Sequence, residues 1–577
     1  MGYIQRYNCI RPLAGEAGVI PALTRNRDRP LGREPDHLWE ARSSAPHRRG
    51  VRSGARAPSA VRAVVRRSGG SRMSSFTRRR FLTGALGTVA FTSLAACGPS
   101  GSSGGSTRLR AAFAAGGSKE TLDPALVSQF VDQARAKALF DTLATYAADT
   151  SLRPGLAESW DSDAAGLRWR VRLRSAQFHD GTPVTSEDVL YTLSRIADPS
   201  LASDSRQYFA TVDFPASKAV SATELELVLA RPDFEFPSAF AAPGTEILPA
   251  GTKDFTAPVG SGPFRFGSFR PGGPAVFTKF EGHWAGAPTI DELEFVPVDD
   301  EAARVNALLS GQVHYAHDLA AASAARLAGQ DGVTVLQAER TTMQAVLLRL
   351  TRPPFSDPRL VQAVLLGVDR EALNRIALAG RGEVGNDLFG KGLRGYAADI
   401  PQRTRDVDTA RRLVREAGAE GLAIPLETSG VDPAFDSAAT LISQQLKEAG
   451  LTVTPDPLAA STYFSEIKKK GVAAHSRTAT LPVPTFLGER FRTGASSNLT
   501  GYSNPEFDAL LDRAAGTADE ATRLTLFAEA QQLTHDDGGM LVWGFSDWNV
   551  GVSGVDGVVA APPNTFDWAR FDHARLR

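Results

Sequence analysis

The chain has 577 residues, of which 42% are hydrophobic and 22% are charged, with 64 basic and 64 acidic side chains. The balance is uneven, because residues 1–96 hold 18 arginines against five acidic residues, which leaves residues 97–577 with a formal net charge of −13. An acidic body of this size argues against a nucleic-acid partner. The only cysteines are Cys9 and Cys97, so residues 98–577 form no disulfide and depend on core burial for stability.

Residues 1–72 are expected to lie outside the fold. They contain fifteen arginines, no lysine and no apolar periodicity, and Met73 then begins a conventional signal sequence. We interpret 1–72 as a disordered, non-native extension upstream of the true start. The alternative is a basic disordered arm that binds nucleic acid, which would be misplaced ahead of an export signal.

Residues 73–97 have the pattern of a bacterial export signal. The arginines at 78–80 precede an uncharged run over 81–96, and a twin arginine before a short apolar segment is an export address. The run over 81–96 is too short and too polar for a membrane-spanning helix, which predicts a signal peptide. Leu94–Cys97 resembles the lipobox of bacterial lipoproteins, which predicts lipidation at Cys97 and a flexible tether over 98–106. A plain secretory signal is the alternative.

Strand and helix patterns begin after the tether. Apolar residues and arginines alternate over 167–174, which predicts a half-buried strand with a solvated arginine face rather than an anion site. Residues 178–183 predict a turn. Thr185 and Asp188 then have the spacing of a helix N-cap, and Asp198-Pro199 ends that helix.

Helices and strands continue to alternate along the rest of the chain. Residues 224–229 predict a strand, and residues 303–310 and 409–417 predict helices. A helix face over 439–449 is closed by glycine and followed by a strand at 451–453. Because the two element types are mixed from end to end, the predicted class is α/β or α+β.

Several short motifs match catalytic patterns without the context that those patterns need. Residues 101–105 fit a nucleophile elbow but lie in the tether, and residues 390–395 fit a dinucleotide loop without a preceding buried strand. His314 and His317 have the spacing of metal ligands, but we interpret them as surface histidines. The sequence therefore predicts no catalytic residue, no metal site and no enzyme activity.

A family resemblance covers nearly the whole segment after the signal. The chain resembles the extracellular solute-binding proteins of the oligopeptide, dipeptide and nickel type, which feed ABC importers. The blocks that carry the resemblance occur in family order: Leu156–Trp160, Phe178–Val189, Gly260–Phe264, His283–Pro288, Ala303–Gly311, Arg352–Arg359, Val368–Glu371, Ile442–Gly450 and Tyr502–Asp508.

The resemblance implies an α/β, two-lobed periplasmic-binding-protein fold (type II, class C) with a hinge and an interlobar cleft. Lobe 1 is expected over 107–340, lobe 2 over 341–540, and a return to lobe 1 over 541–577. Such proteins close around a ligand by hinge motion. The implied protein is a monomer without cofactor, anchored by lipid to the outer face of the cytoplasmic membrane. It would capture a peptide or peptide-like solute for an ABC permease and its ATPase.

One loop departs from the peptide-binding pattern. Relatives carry an Asp-Tyr-x-Asp-Pro-like loop in lobe 2, whose first aspartate pairs with the peptide ammonium, whereas the corresponding segment 473–485 has no carboxylate. An unpaired ammonium in a closed cleft is costly. We therefore expect no free peptide N-terminus there; Arg477 would bind an acid, or hydroxyl groups would bind a neutral ligand.

The resemblance also indicates candidate binding residues. Aromatic side chains often wall ligand pockets, and several, including Trp548, fall where the chain returns to lobe 1. The alternative for these aromatic residues is ordinary core packing. The alternative for Asp123, which precedes Pro124, is a simple turn. The predicted ligand-binding residues are Asp123, Arg477, Thr478, Asn498, Tyr502, Trp543 and Phe545. Alternative functions are an exported lipoprotein hydrolase, a receptor for an oligosaccharide or metal chelate, and a sensor.

Overall fold

The computed structural model describes residues 107–115, 117, 120–460 and 462–577. These residues belong to one compact unit, Pro99–Arg577. The predictions for 1–106, including the extension, the export signal, Cys97 and the whole tether, lie outside the described residues. Within the described part, no helix is both long and apolar enough to cross a membrane.

Strands and helices alternate along the described chain. The strands are β1 (Arg108–Phe113), β2 (Ala144–Tyr146), β3 (Leu152–Pro154), β4 (Ala157–Ser162), β5 (Arg168–Leu173), β6 (Lys218–Ser221), β7 (Glu224–Val228), β8 (Phe264–Ser268), β9 (Ala275–Lys279), β10 (Glu292–Pro297), β11 (Tyr315–Ala316), β12 (Val333–Leu348), β13 (Glu383–Val384), β14 (Ala423–Thr428), β15 (Thr452–Pro457), β16 (Ala473–Thr478), β17 (Met540–Ser553), β18 (Val555–Asp556) and β19 (Arg575–Leu576). The α-helices are α1 (Phe130–Leu139), α2 (Ser186–Ala197), α3 (Glu301–Leu309), α4 (Ala321–Leu327), α5 (Pro358–Gly367), α6 (Arg370–Ala377), α7 (Val407–Glu416), α8 (Phe435–Glu448), α9 (Tyr463–Ile467), α10 (Val483–Arg490), α11 (Pro505–Ala515) and α12 (Glu520–Asp537).

The structure confirms the predicted strand β5, the N-cap of α2 and three of the predicted helices. Along β5 the apolar residues are buried and the arginines are exposed, and Arg168 and Arg170 each lie 3.1 Å from a glutamate of β7. Thr185 and Asp188 form the reciprocal capping box of α2. That box satisfies two backbone N–H groups at the helix start. Helices α3, α7 and α8 lie on the predicted stretches.

The prediction of a surface histidine at 317 was wrong. His317 is 2% exposed and its ring stacks on Phe113 at a centroid distance of 4.1 Å. It directly follows β11, which lies between β1 and β17 in the sheet, so its side chain enters the core. His314 accepts a hydrogen bond at Nδ1 from the backbone N–H of Arg110. Both histidines thus have structural partners.

One mixed sheet runs through the molecule in the order β15-β14-β16-β12-β17-β11-β1-β10-β9-β8. The apolar side chains divide into two groups around it. Three core clusters draw on residues 109–338 and 548–574, and we name this part lobe 1. Two further clusters draw on residues 343–545, and we name this part lobe 2. The finer lobe boundaries given above stay a prediction.

The long antiparallel strands β12 and β17 connect the lobes. Ala338 and Trp548 pack into a core of lobe 1, whereas Met343 and Phe545, a few residues along the same strands, pack into lobe 2. The pairing register shifts between Ala338 and Thr342, and Arg340 there has a left-handed φ of 57°. Because a bulge bends and twists a strand locally, this segment is the natural hinge.

Two glycines of the Gly-Ser-Gly-Pro-Phe block allow a close backbone approach. A Cβ at Gly260 would lie 2.0 Å from the carbonyl oxygen of Leu139, and one at Gly262 would lie 2.5 Å from the backbone nitrogen of Phe140. Neither contact is sterically possible, so this block holds the end of α1 against the chain that leads into β8.

Candidate ligand-binding site

A cavity with a volume of about 630 Å³ lies between the lobes. Lobe 1 contributes segments within 199–211 and 231–239, and lobe 2 contributes a segment within 484–496 together with Leu511, Ala515 and Phe527. Pockets for small molecules commonly measure about 300–1,000 Å³. The volume of this cavity, named the cleft cavity below, lies within that range, and both lobes contribute to its wall.

The cleft cavity has charges of both signs on its wall. The hydroxyl of Tyr208 donates a hydrogen bond to Glu489 across the cleft, and burial raises the pKa of Glu489. Burial likewise raises the pKa of Asp233 to about 6. The charged lining residues are Asp204, Asp233, Glu235 and Glu489 on the acidic side and Arg206, Arg231 and Arg492 on the basic side. A wall of this kind suits a polar solute that carries both charges.

Ionic contacts close the cleft at its rim. Glu235 of lobe 1 accepts hydrogen bonds from Nε of Arg523 at 2.6 Å and from Nη2 of Arg394 at 3.2 Å, both from lobe 2. We name these three residues the Glu235 cluster. The backbone N–H of Phe234 also donates to the carbonyl of Ala515 at 2.8 Å. The described conformation is therefore the closed form.

A second cavity, of about 210 Å³, lies beside β12 and β17 and is named the hinge cavity below. Its wall comes from both lobes: residues within 318–322 and 546–549 on one side, and residues within 376–381 and 432–437 on the other. Arg477 of β16 lines it. Of the predicted ligand-binding residues, Arg477 alone lines one of these two cavities.

Arg477 is held by carboxylates of the protein itself. Its Nη1 lies 3.0 Å from Oδ2 of Asp318 and 3.0 Å from Oδ2 of Asp432. The guanidinium also lies over the rings of Phe130 and Trp548, at 5.4 and 6.0 Å from their centroids. Burial acts to lower the pKa of Arg477, but the two carboxylates outweigh it and raise the pKa overall.

Sequence reasoning missed both of these carboxylates. Segment 473–485 has no carboxylate, yet Asp318 reaches Arg477 from the loop after β11 and Asp432 reaches it from the start of α8. Asp432 also accepts a hydrogen bond from the backbone N–H of Ala434. An Asp-Pro pair before a helix is a recognisable start signal, but nothing in the sequence links it to Arg477.

Of the polar candidates outside the two cavities, Asp123 and Asn498 have structural partners, whereas the buried hydroxyl of Thr478 has none among the described residues. Asp123 caps a helical turn and pairs with Arg195 at 3.0 Å. Thr478 is buried at the end of β16. The side-chain amide of Asn498 donates to three backbone carbonyls, of which that of Tyr502 is the nearest at 2.8 Å. Their binding roles stay predictions.

The aromatic candidates are core residues. Tyr502, Trp543 and Phe545 are 4%, 0% and 2% exposed and pack into the lobe 2 clusters. Trp548 packs into lobe 1 and also lines the hinge cavity. In the described chain, no group of three or more His, Cys, Asp or Glu is placed to hold a metal ion.

Comparison with known proteins now identifies the family. The family model for bacterial extracellular solute-binding proteins, family 5 (Middle), matches residues 151–497. The chain belongs to this family. The glutathione-binding protein GsiB of Pectobacterium atrosepticum is 26% identical over 447 residues, covering 73% of this chain and 85% of that protein. GsiB of Escherichia coli K12 is 24% identical over 456 residues, with 75% and 87% covered.

Solved structures share the fold. AgaA in complex with agropinic acid, from A. tumefacien R10, superposes with a TM-score of 0.73 at 24% identity and covers 82% of this chain and 99% of its own. DppA from Helicobacter pylori, in complex with the peptide STSA, has a TM-score of 0.73 at 20% identity, with 82% and 98% covered. NikZ from Campylobacter jejuni, in complex with Ni(L-His), has 0.73 at 17%, with 81% and 99% covered.

These comparisons confirm three predictions. The family is the solute-binding family whose blocks the sequence resembles. The fold is the two-lobed α/β fold of periplasmic binding proteins. The function is that of an extracellular solute-binding protein of ABC transport, and no comparison points to a hydrolase.

Proposed function

We propose that this protein captures a small polar solute, a peptide or peptide-like molecule, in the cleft cavity and delivers it unchanged to an ABC permease and its ATPase. The observation that carries the proposal is the cleft cavity of about 630 Å³, which is walled by both lobes and bears charges of both signs. One relative is named a glutathione-binding protein, and two structural neighbours were solved in complex with agropinic acid and with a peptide. A zwitterionic wall supports a solute of that general character.

The rim contacts support capture by closure. The Glu235 cluster and the Tyr208–Glu489 hydrogen bond each join one lobe to the other. They can form only when the lobes meet, so they stabilise the closed state in which a solute is enclosed. Opening of the lobes would break these contacts together and release the solute to the permease.

A thermal-stability screen of the purified protein tests the proposal. The panel comprises short peptides, glutathione, opine-type acids, sugars and metal chelates. A solute at about 100 times its dissociation constant should stabilise the protein by about 2.7 kcal/mol. Chemical turnover of any panel member would rule out a receptor that leaves its solute unchanged.

A matched pair of variants tests whether the solute binds in the cleft cavity. Gly488 lines the cleft cavity, and a Cβ there would meet no atom within 4 Å, so Gly488→Trp should fill the cavity without disturbing the core. Gly430 has equal room outside both cavities, which makes Gly430→Trp the control. We expect Gly488→Trp to abolish solute stabilisation and Gly430→Trp to retain it; equal binding by both would contradict a solute in this cavity.

We further propose that the protein is exported as a monomer through a twin-arginine signal and is lipidated at Cys97. The supporting pattern is the arginine triplet at 78–80 followed by Leu94–Cys97. Two acyl chains hold a protein on a membrane stably, whereas one does not. Cys97→Ser should move the protein from the membrane fraction to the soluble exported fraction. Replacing Arg78 and Arg79 by lysine should block export.

A further inference from the structure

A third cavity, named the lobe 1 cavity below, lies within lobe 1 and has a volume of about 100 Å³. Its wall is formed by residues within 133–155, 241–246, 263–293 and 564–572. All of these segments belong to lobe 1, whereas the cleft cavity and the hinge cavity have walls from both lobes. Several wall residues of the last segment are partly exposed, which places the cavity within reach of solvent.

The wall of the lobe 1 cavity contains polar atoms that have no hydrogen-bond partner among the described residues. Two of them belong to deeply buried side chains: Trp568 is 3% exposed and its Nε1 is unpaired, and Glu246 is 7% exposed and its Oε2 is unpaired. The others are Oε1 of Gln133, Oγ1 of Thr145, Nε2 of His283, Oδ1 of Asn564 and Nη1 of Arg570.

These atoms include both donors and acceptors. Nε1 of Trp568 and Nη1 of Arg570 can only donate, whereas the amide oxygens of Gln133 and Asn564 can only accept. Leaving a buried polar atom without its partner costs about 1–3 kcal/mol. A hydroxyl group both donates and accepts, so a molecule with neighbouring hydroxyl groups can pair with both kinds of atom.

The charged side chains in the wall favour an uncharged ligand. Arg570 donates to both carboxylate oxygens of Asp572, at 2.7 and 2.6 Å. Asp141 accepts from two neighbouring side chains, and Nζ of Lys137 donates to two backbone carbonyls. Burial raises the pKa of Glu246 to about 7 and lowers the pKa of Lys137 to about 7. The existing pairs and the burial therefore leave no strong net charge for a ligand to neutralise.

We propose that the lobe 1 cavity is a second binding site, separate from the solute site, for a short uncharged polyol such as glycerol. A cavity of about 150 Å³ holds benzene, so this smaller one has room for a molecule of about the size of glycerol. Tyr146, Trp284 and Phe566 line the cavity and offer apolar surface to the carbon chain of the polyol. The inference does not depend on which solute the cleft cavity binds.

The test compares two ligands that differ by one hydroxyl group. Saturation-transfer NMR on the purified protein measures the dissociation constants of glycerol and of the propanediol that lacks the middle hydroxyl of glycerol. We expect glycerol to bind saturably in the millimolar range, and the propanediol to bind at least about fivefold more weakly because one wall atom loses its partner. Equal binding of the two ligands overturns the inference.

Variants assign the binding to the lobe 1 cavity. Thr145→Val and Gln133→Met each remove an oxygen that has no partner in the described chain, so the melting temperature without glycerol should not fall. Glycerol binding should nevertheless weaken at least about fivefold. Thr341→Val is the matched control, because its hydroxyl is also buried and unpaired but does not line this cavity. Wild-type binding in both Thr145→Val and Gln133→Met overturns the inference.

The remaining outcomes separate this site from the solute site. Gly488→Trp fills the cleft cavity and should leave glycerol binding at the wild-type value; loss of binding there would place glycerol in the cleft and overturn the inference. No saturable binding even at molar glycerol would mean that water alone pairs with these atoms, which also overturns it. None of these results bears on solute capture, which the thermal-stability screen tests independently.

Discussion

Removing the charge of Glu235 should shift the protein from its closed to its open form. Glu235 is the acceptor for two arginines of the other lobe, Arg394 and Arg523. Glu235→Gln keeps the side-chain shape and one carbonyl acceptor but removes the negative charge. In the open form the carboxylate would be hydrated, so the substitution acts mainly on the closed form.

The size of the effect follows from burial. The side chains of Glu235 and Arg523 are only 16% and 8% exposed, and a hydrogen bond to a charged group contributes about 1.5–3 kcal/mol. Arg394 is 33% exposed, so solvent weakens its pair to about 0.5 kcal/mol. Because the glutamine retains a neutral acceptor, we expect a net loss of about 1.4 kcal/mol, which is about tenfold in the closed-to-open ratio.

The assay measures a distance between the lobes. Cys9 and Cys97 are the only native cysteines, so labels can be placed freely once these are replaced. Val220 of lobe 1 is 49% exposed, and the side chain of Asp408 of lobe 2 is 87% exposed. Spin labels at these positions should report the open and closed populations, with and without the solute found by the screen.

Glu226→Gln is the matched control. Its side chain is 17% exposed and pairs with Arg168 at 3.1 Å, but both partners lie in the same sheet of lobe 1. We expect this variant to leave the closed-to-open ratio at the wild-type value. If Glu226→Gln and Glu235→Gln give the same ratio, the reasoning that ties rim ion pairs to closure is refuted.

Three further predictions concern stability. Arg477→Met leaves the buried Asp432 and the partly exposed Asp318 facing each other, so the free energy of unfolding measured in urea should fall by about 3 kcal/mol. Burial lowers the pKa of His475 to about 3, so the unfolded chain takes up a proton between about pH 6.5 and 3 that the native chain does not. Stability should therefore fall as the pH falls through that window, and His475→Leu should lessen the slope by up to about 1.4 kcal/mol per pH unit. Gly262→Ala should lower the unfolding free energy by about 3 kcal/mol through overpacking against α1.

Each of these predictions has its own control. Arg412→Met removes an exposed ion pair with Glu416 on the same helix and should lower the free energy of unfolding by less than about 0.5 kcal/mol. If Arg477→Met lowered it by no more than this, the argument for a buried ion pair at Arg477 would be wrong. Phe178→Leu shrinks a buried ring that carries no titratable group and should leave the acid slope at the wild-type value. Gly430→Ala has open space around its Cβ, so a loss as large as that of Gly262→Ala would refute the steric argument.

Features set by neighbours in sequence were predictable. The arginine stripe of β5 follows from the two-residue period of a strand, and the glutamates that meet it come from the adjacent strand β7. The capping box of α2 uses two residues three apart. The block at 260–264 was recognised only from its resemblance to the family, and the structure shows that its glycines allow a close approach to the backbone at the end of α1.

Features set by residues far apart in sequence were not predictable. Arg477 meets Asp318 and Asp432 only because β11, β16 and the start of α8 converge beside the hinge strands. The same limit applies to Trp543 and Phe545: an aromatic residue on a buried strand looks alike whether its face meets a core or a cavity. The structure distinguishes a core-facing from a cavity-facing residue, because it shows that successive residues of β17 face two different cores and how β17 pairs with β12.

The division of contacts explains how the protein can both close and reopen. Apolar side chains are buried within separate lobe cores, so opening need not expose those cores to water. The contacts described across the rim are polar, such as Tyr208 with Glu489 and the Glu235 cluster. Polar groups of this kind are well hydrated when apart, so these contacts together contribute only a few kcal/mol to closure. The solute must then supply the difference, because a ligand shifts such an equilibrium only by its preference for the closed state.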